Sequence, residues 1–529
     1  MLRAFYFCLS LHTDGHFQAA AFLWAVLQTR QNYFKPYTLP ACVTDFLLHC
    51  GGILFATTVY AGAPQVLLGL IALPAIASAL QPAVDTRSAP KPAAKVDANG
   101  KPTGSEDAEG KDMDPLPVKP FITTYRGAMM IVTCTSILAV DFNVFPRRFA
   151  KTESFGTSLM DLGVGSFVFA AGIVAARQQL KEQQALARSL IARMKTALRH
   201  SAPLLALGFV RLWSVKGLDY AEHVSEYGVH WNFFFTLALL PPSVALLQPL
   251  LRLIPSYGAL AFALAVGYEL VLQFTPDIMY WIMLSERKEG DWLSQNREGV
   301  FSFFGYMAIF IAGMGVGTCI LPRDVEPKEA WKPGDGKPGK KDKDDVLDED
   351  ADWLAAVLGD EDPKNQAPPP EPQFKPEFPQ TSIWLLVKWA GIWTVLSLFF
   401  IWRRYGPDLF VSRRMANLPY VCWVCAFNCA QLLLFCGIEE LMFPNLYKAK
   451  DKTIERQRLQ DATSKVMRAF NRNGLALFLL ANLLTGAINM AVPTLHVGEV
   501  EAITILVAYI AIIAGVGLAL DQYNVSIKL

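Results

Sequence analysis

The chain has 529 residues, of which 53% are hydrophobic, and its mean hydropathy is +0.28. This apolar content exceeds the roughly 45 to 50% of a soluble domain and indicates an integral membrane protein. The net charge of only +1 excludes both a broad basic surface for nucleic acid and an acidic bias toward basic partners. The nine cysteines lie mostly in apolar runs and predict neither a disulfide framework nor a metal site.

Thirteen apolar stretches approach the length of about 20 mostly apolar residues that a membrane span needs. The first is short, and the sixth is interrupted by Arg211. The sequence therefore predicts an all-α polytopic membrane protein with about thirteen transmembrane helices. In chain order the stretches lie near 17–30, 42–60, 62–80, 122–140, 158–176, 201–215, 231–250, 256–274, 300–320, 382–402, 417–440, 472–491 and 500–520.

Two long polar connections divide these stretches. They are rich in Pro and in charged side chains and poor in hydrophobic ones, a composition typical of disorder. The predicted organisation is three transmembrane helices in 1–80, a disordered cytosolic loop in 81–120, a catalytic transmembrane core in 121–320, a second disordered cytosolic loop in 321–381, and four transmembrane helices in 382–529.

The distribution of basic residues predicts the orientation. Residues 177–200 carry six Lys or Arg against one Glu and predict an amphipathic helix at the interface, and residues 444–471 are also basic. By the positive-inside rule both are cytosolic. Residues 403–416, with four arginines, fall on the opposite side and argue against this orientation. With the cytosolic side so assigned, the polar connections 141–157, 216–230 and 403–416 face away from the cytosol.

The first of these connections contains several charges at the membrane edge. Pro146 prevents a continuous helix, so the chain can fold back and bring the Asp141 carboxylate and the Lys151 ammonium together. A base beside an electrostatic stabiliser has this arrangement. Alternatively, these charges and those of Arg147 and Arg148 form an interfacial belt whose arginines reach the lipid headgroups.

The stretch that follows is predicted to begin a span. Ser154, Ser158 and Asp161 have the spacing of one helical face, and Gly163 and Gly165 permit close approach of a helix or an acyl chain. An ionisable residue inside a span is a candidate functional residue. The alternative for Asp161 is a carboxylate hydrogen-bonded to a polar side chain of a facing helix.

Other polar residues are candidates for substrate binding. Arg147, Arg148, Arg211 and Lys216 can bind phosphate groups of a substrate, or they can anchor the protein to headgroups. The apolar face of GVGSFVF, residues 163–169, is a candidate acyl groove or an ordinary packing surface.

Two histidines offer an alternative base. His223 and His230 lie in one polar stretch with Asn232, and all three are candidate substrate-binding residues. Histidine is the commonest general base, so a histidine-based membrane O-acyltransferase acting on another lipid or on a protein is an alternative.

A transporter is the alternative of a different class. Asp161 and Glu269 would then mark a pathway through the membrane. The sequence shows no inverted halves and no matching pair of broken helices, which argues against transport.

Three long blocks resemble the inositol acyltransferases of glycosylphosphatidylinositol (GPI) anchor synthesis, which include the fungal GPI-anchored wall transfer protein family. The blocks are ILAVDFNVFPRRFAKTESFGTSLMDLGVGSFVFAAGIV, GFVRLWSVKGLDYAEHVSEYGVHWNFFFTLALLP and AFNRNGLALFLLANLLTGAINMAV. With LQTRQNYFKPYTLPACVTDFLLHCGGILFATTVY, the resemblance covers nearly the whole chain outside the two polar connections. The first 20 or so residues depart from the family pattern, in which a polar segment precedes a full first span.

The resemblance implies a multi-pass enzyme of the endoplasmic reticulum membrane. It would move a long acyl chain, typically palmitoyl, from acyl-CoA to the inositol 2-hydroxyl of glucosaminyl-phosphatidylinositol on the lumenal side. Asp141 and Lys151 match the catalytic pair of the family. Asp141 would then act as general base, and Lys151 would polarise the thioester or hold Asp141. We expect acyl-CoA as co-substrate, membrane lipids as further partners, and no tightly bound cofactor, metal, nucleic acid or obligate protein partner.

Overall fold

The computed structural model describes residues 2–81, 114–181, 190–215, 224–323, 381–401, 409–449 and 451–527, and the side chains of these residues from 15 onward except 214, 215, 224, 225 and 252. These residues form helices and connections, without a strand. The long helices are α1 (Leu2–Gln31), α2 (Leu39–Thr57), α3 (Pro64–Leu80), α4 (Pro120–Ala139), α5 (Leu159–Lys181), α6 (Leu190–Val215), α7 (Phe233–Leu251), α8 (Tyr257–Phe274), α9 (Arg297–Ile320), α10 (Ser382–Ile401), α11 (Leu418–Met442), α12 (Gly474–Ala491) and α13 (Glu499–Gln522).

Ten of these helices, within the described ranges, are long and apolar enough to cross a membrane. The other three long helices are α1, α3 and α6. Of these, α3 is apolar but has only 17 residues. They coincide with three of the predicted spans, among them the short first stretch and the one interrupted by Arg211. The all-α polytopic fold is thus confirmed, whereas the number of thirteen spans is not.

Helices α5 and α9 pack together at the centre of the bundle. A Cβ added to Gly313 would lie 2.2 Å from the carbonyl oxygen of Phe169, and one added to Gly172 would lie 2.2 Å from that of Phe310. Only glycine permits backbones to approach this closely. The main core cluster runs from Phe17 to Ala514. The predicted divisions 121–320 and 382–529 therefore share one core.

Five connections meet at one end of the bundle, which we call the site face: residues 140–158, 224–232, 275–296, 409–417 and 492–498. Hydrogen bonds join the first of them to three others, from Lys151 to Glu226, from Ser412 to the Ser154 carbonyl and from Asn143 to the Leu495 carbonyl. The site face therefore unites the described parts of the three connections that the sequence singled out, and adds two more.

Two predictions about the connections fall partly outside the described residues. The interfacial helix over 177–200 stays a prediction: its described residues are helical and belong to the end of α5 and the beginning of α6, and residues 182–189 are not described. Arg177 is buried and donates to the carbonyl oxygen of Leu116 at 2.9 Å, so its charge does not require the membrane surface. The predicted disordered loops lie, for the most part, outside the described residues.

Candidate functional site

The connection between α4 and α5 is anchored by aromatic side chains. Phe142 and Phe145 are fully buried and Phe149 nearly so, and the rings of Phe145 and Phe149 are 5.8 Å apart. Pro146 has extended backbone and precedes a single turn, Arg147–Phe149. The polar residues between these anchors are thereby held at the membrane edge instead of continuing α4.

Asp141 and Lys151 do not contact each other, although the chain folds back at Pro146. The Asp141 carboxylate accepts a hydrogen bond from the Asn489 amide of α12 at 2.9 Å. The Lys151 ammonium donates to Glu226 at 2.8 Å, and its side chain is 40% exposed. The two residues share the site face, but the direct contact expected from the sequence is not formed.

Asp161 is the centre of a buried charge network. Its carboxylate is fully buried and pairs with the Arg413 guanidinium at 2.8 Å. Hydrogen bonds from the hydroxyls of Thr152 and Ser158 reach the other oxygen at 2.9 and 2.8 Å. Arg413 also lies 3.5 Å from Glu226. Burial lowers the pKa of Arg413, but the negative charges of Glu226 and Asp161 oppose this effect, and the net pKa is raised.

This geometry changes the interpretation of Asp161. Helix α5 begins only at Leu159, after Gly156 at φ 144°, so Ser154, Ser158 and Asp161 do not share a helical face as predicted. The Ser158 hydroxyl instead accepts the Asp161 N–H at 3.2 Å. Because both carboxylate oxygens have buried partners, Asp161 organises the loop and is not open to a substrate.

Asp161 and Glu269, the acidic residues proposed for a transport pathway, both have hydrogen-bond or ion-pair partners within the protein. Asp161 is paired with Arg413. Glu269 is buried and accepts hydrogen bonds from the Leu418 N–H at 3.0 Å and from Gln273 at 2.8 Å. A carboxylate held in this way has little capacity left for a transported cation, which argues against the transporter.

The predicted phosphate-binding residues are dispersed. Arg147 and Arg148 are exposed; Arg147 donates to the Val140 carbonyl at 2.9 Å, and the Arg148 guanidinium lies 4.8 Å from the ring centre of Phe149. Arg211 is exposed near the end of α6. The predictions for Lys216 and His223 concern residues outside the described part of the chain.

His230 and Asn232 have structural partners. The His230 imidazole is 3.1 Å from the side-chain oxygen of Gln295, and its backbone N–H donates to Asn296 at 2.8 Å. Asn232 caps α7 and donates to the Gly208 carbonyl at 2.9 Å. The Asn232 side chain thus joins α6 and α7, and its substrate-binding role stays a prediction.

The candidate acyl groove is divided between packing and open space. A Cβ on Gly165 would lie 2.7 Å from Val424, so this position serves the contact of α5 with α11. A Cβ on Gly163 would meet no heavy atom within 4 Å. On the partly exposed side of α5, the Phe167 ring lies 6.5 Å from that of Phe478 on α12.

Several residues of the site were not identified from the sequence. They are Glu226, Arg413, Arg414, Glu298 and Asn489. The sequence did contain a signal for two of them: the four arginines of residues 403–416, which did not fit the predicted orientation. In the structure Arg413 and Arg414 pair with buried acids, so their positive charges do not indicate a cytosolic position.

Comparison with known proteins identifies the family. The GWT1 family model matches residues 11–520. The chain is 47% identical over 517 residues to GPI-anchored wall transfer protein 1 of Gibberella zeae, covering 96% of this chain and 93% of that protein. It is 46% identical to the protein of the same name from Aspergillus oryzae, with the same coverage, and 37% identical to that of Yarrowia lipolytica, with 96% and 92% coverage. The chain therefore belongs to the GWT1 family of GPI-anchored wall transfer proteins.

Proposed function

We propose that this protein is an acyltransferase of GPI-anchor biosynthesis, which moves a long acyl chain from acyl-CoA to the inositol 2-hydroxyl of glucosaminyl-phosphatidylinositol. Membership in the GWT1 family supports the pathway. The observation that supports the chemistry is that the Asp141 carboxylate, at the membrane edge, has one oxygen available to accept a proton. One carboxylate oxygen is held by Asn489, and the other accepts no hydrogen bond from any described residue.

Asp141 and Lys151 serve the two needs of acyl transfer to an alcohol. Asp141 takes the proton of the inositol hydroxyl while the hydroxyl oxygen attacks the thioester carbonyl. Lys151 stabilises the resulting oxyanion. The C–S bond then breaks, and the departing CoA thiolate takes the proton from Asp141, which returns to its carboxylate form. Base and stabiliser act on different atoms of the substrates, so the reaction does not require contact between the two side chains. Glu226 holds Lys151 at 2.8 Å and fixes its direction.

The acyl chain lies, in this proposal, against the partly exposed side of α5. Gly163 leaves space there, and Phe167, about one turn further along α5, provides an apolar wall together with Phe478. A groove between helices removes the chain from water and places the thioester near the site face.

The protein resides in the endoplasmic reticulum membrane, with the site face toward the lumen. The basic residues 444–471 support this orientation, because they lie on the end opposite the site face and the positive-inside rule makes them cytosolic. Acyl-CoA is the co-substrate.

The test is turnover by purified protein supplied with palmitoyl-CoA and glucosaminyl-phosphatidylinositol. We expect Asp141→Asn and Lys151→Ala each to lower kcat by at least about 100-fold, the effect of losing a general base or an oxyanion contact. Asn143→Ala, in the same connection, is the matched control and keeps near-normal turnover. Normal turnover of Asp141→Asn would remove the proposed base, and a loss confined to His230→Ala would favour the histidine alternative.

A further inference from the structure

We propose that Arg147 binds the phosphodiester of the inositol lipid acceptor and thereby places the neighbouring 2-hydroxyl at Asp141. The inference rests on the proposed function, because that function supplies the acceptor. The sequence alone left Arg147 open between a phosphate of either substrate and an anchor to lipid headgroups. The contacts within residues 140–158, the connection that carries the proposed catalytic pair, distinguish Arg147 from the other cations around it.

The Arg147 guanidinium lies beside the segment of the proposed base. Its Nη1 donates to the carbonyl oxygen of Val140 at 2.9 Å, and Val140 directly precedes Asp141 in the chain. The single turn Arg147–Phe149 follows a proline with extended backbone, and this change of direction lets the side chain reach back to the end of α4. The chain reversal therefore brings a cation next to the residue that precedes the base.

Most of this guanidinium remains available to a ligand. The Arg147 side chain is exposed, and among the described residues it forms no ion pair and no side-chain hydrogen bond besides the one to Val140. A guanidinium carries several N–H donors in a planar fork, and only one of them is engaged here. Its remaining donors can bind two phosphate oxygens in the paired, charge-assisted geometry that arginine favours.

The other two cations of the connection are directed elsewhere. The Lys151 ammonium is paired with Glu226 at 2.8 Å. The Arg148 guanidinium donates to the carbonyl oxygen of Ala61, so it is held at the connection between α2 and α3. Of the three cations, Arg147 is thus the one that lies beside the segment of the base and has no acid as partner.

The chemistry of the acceptor requires a cation in this position. In an inositol phospholipid the phosphodiester is on the ring carbon adjacent to the one that carries the 2-hydroxyl. When that hydroxyl gives its proton to Asp141, the phosphate lies close to the carboxylate, and the two negative charges repel each other unless a cation offsets them. The phosphates of CoA are separated from its thioester by the pantetheine arm. The lipid phosphodiester is therefore the anion that fits Arg147.

This part of the site face is open to the bilayer. Asn489, which donates to the Asp141 carboxylate at 2.9 Å, is exposed on α12, and the adjacent Met490 is 89% exposed. Asp141 itself is partly exposed. An acceptor lipid can therefore bring its headgroup to Asp141 from the side of α12 while its own acyl chains remain in the bilayer.

Steady-state kinetics test the assignment to the lipid phosphodiester. For Arg147→Gln we expect kcat/KM for glucosaminyl-phosphatidylinositol to fall about 10- to 100-fold, the effect of losing a charge-assisted hydrogen bond, while the KM for palmitoyl-CoA stays unchanged. Lys288→Gln, an exposed cation of another connection on the site face, is the control and keeps both values. Unchanged kcat/KM in a folded Arg147→Gln protein, or a change confined to the KM for palmitoyl-CoA, overturns the inference. An equal fall in Arg148→Gln also overturns it, because the effect would then follow the total charge of the connection.

Lipid binding without the acyl donor separates this inference from the proposed function. Thermal stabilisation of the wild-type and Arg147→Gln proteins is measured with dioctanoyl phosphatidylinositol, dioctanoyl phosphatidylglycerol and dioctanoyl phosphatidylcholine. We expect phosphatidylinositol to stabilise the wild type more than the other two lipids do, and Arg147→Gln to remove this difference. An equal effect of phosphatidylinositol and phosphatidylglycerol would indicate a general headgroup anchor and would overturn the inference, as would a difference that persists in Arg147→Gln. If the difference disappears in the variant but the purified wild type transfers no acyl group, the phosphate site stands and the proposed function fails.

Discussion

Replacing Asp161 by asparagine tests whether this residue organises the loop or binds substrate. Its carboxylate lies 2.8 Å from the Arg413 Nε, and both side chains are at least nine-tenths buried. At that distance the attraction is about 6 kcal/mol for an effective dielectric constant of about 20. Desolvation offsets part of it, but removing one partner leaves an uncompensated buried charge, for which the measured cost is about 3–5 kcal/mol.

We therefore expect Asp161→Asn to lower the free energy of unfolding by about 3–5 kcal/mol. Asparagine is the sharpest change, because it keeps the shape while removing the charge and one acceptor of the Ser158 and Thr152 hydroxyls. Stability is measured in detergent micelles by titration with SDS, followed by tryptophan fluorescence. Glu289→Gln, an exposed acid on the same face, is the control and changes stability by less than about 0.5 kcal/mol.

The double variant Asp161→Asn with Arg413→Gln isolates the ion pair. Its destabilisation is expected to be smaller than the sum of the single changes by about 2 kcal/mol, because each single variant leaves a buried charge or acceptor without its partner. Strict additivity contradicts the pairing. A stable Asp161→Asn protein that has lost turnover refutes the reasoning altogether, since the carboxylate would then act on substrate.

Two further predictions concern the placement of the site. Glu226→Gln removes the charge that holds Lys151; we expect kcat to fall about 3- to 10-fold, with a stability loss of about 1–3 kcal/mol, because Glu226 also lies 3.5 Å from the buried Arg413 guanidinium. Unchanged kcat would exclude this positioning role. Gly305→Val is expected to lower the free energy of unfolding by about 3 kcal/mol or more, because a Cβ there would lie 1.8 Å from the Ala416 carbonyl oxygen. The control is Gly163→Ala, where a Cβ meets no atom within 4 Å, and we expect this variant to keep its stability. Equal losses of stability in the two variants would contradict the close packing of residues 409–417 on α9.

The membrane architecture follows from local sequence. The predicted span 382–402 is α10 (Ser382–Ile401), and 417–440 is α11 (Leu418–Met442). Membrane spans can be predicted from the sequence because the hydrocarbon core of the bilayer requires every backbone polar group to form a hydrogen bond within a continuous apolar helix. The predicted helical face of Ser154, Ser158 and Asp161 was wrong, since α5 begins only at Leu159, and the φ of 144° at Gly156 before it is set by the surrounding packing.

The sequence by itself determined that the chain is an all-α membrane protein, and it identified the family and the connection that carries Asp141 and Lys151. Only the tertiary structure decided the partners of these charges. Lys151 pairs with a residue 75 positions away, and Asp161 with one 252 positions away. Such pairs depend on how α5, α9 and α11 pack, because a charge at the membrane edge is stabilised by whichever opposite charge the packing of distant helices brings within hydrogen-bonding distance.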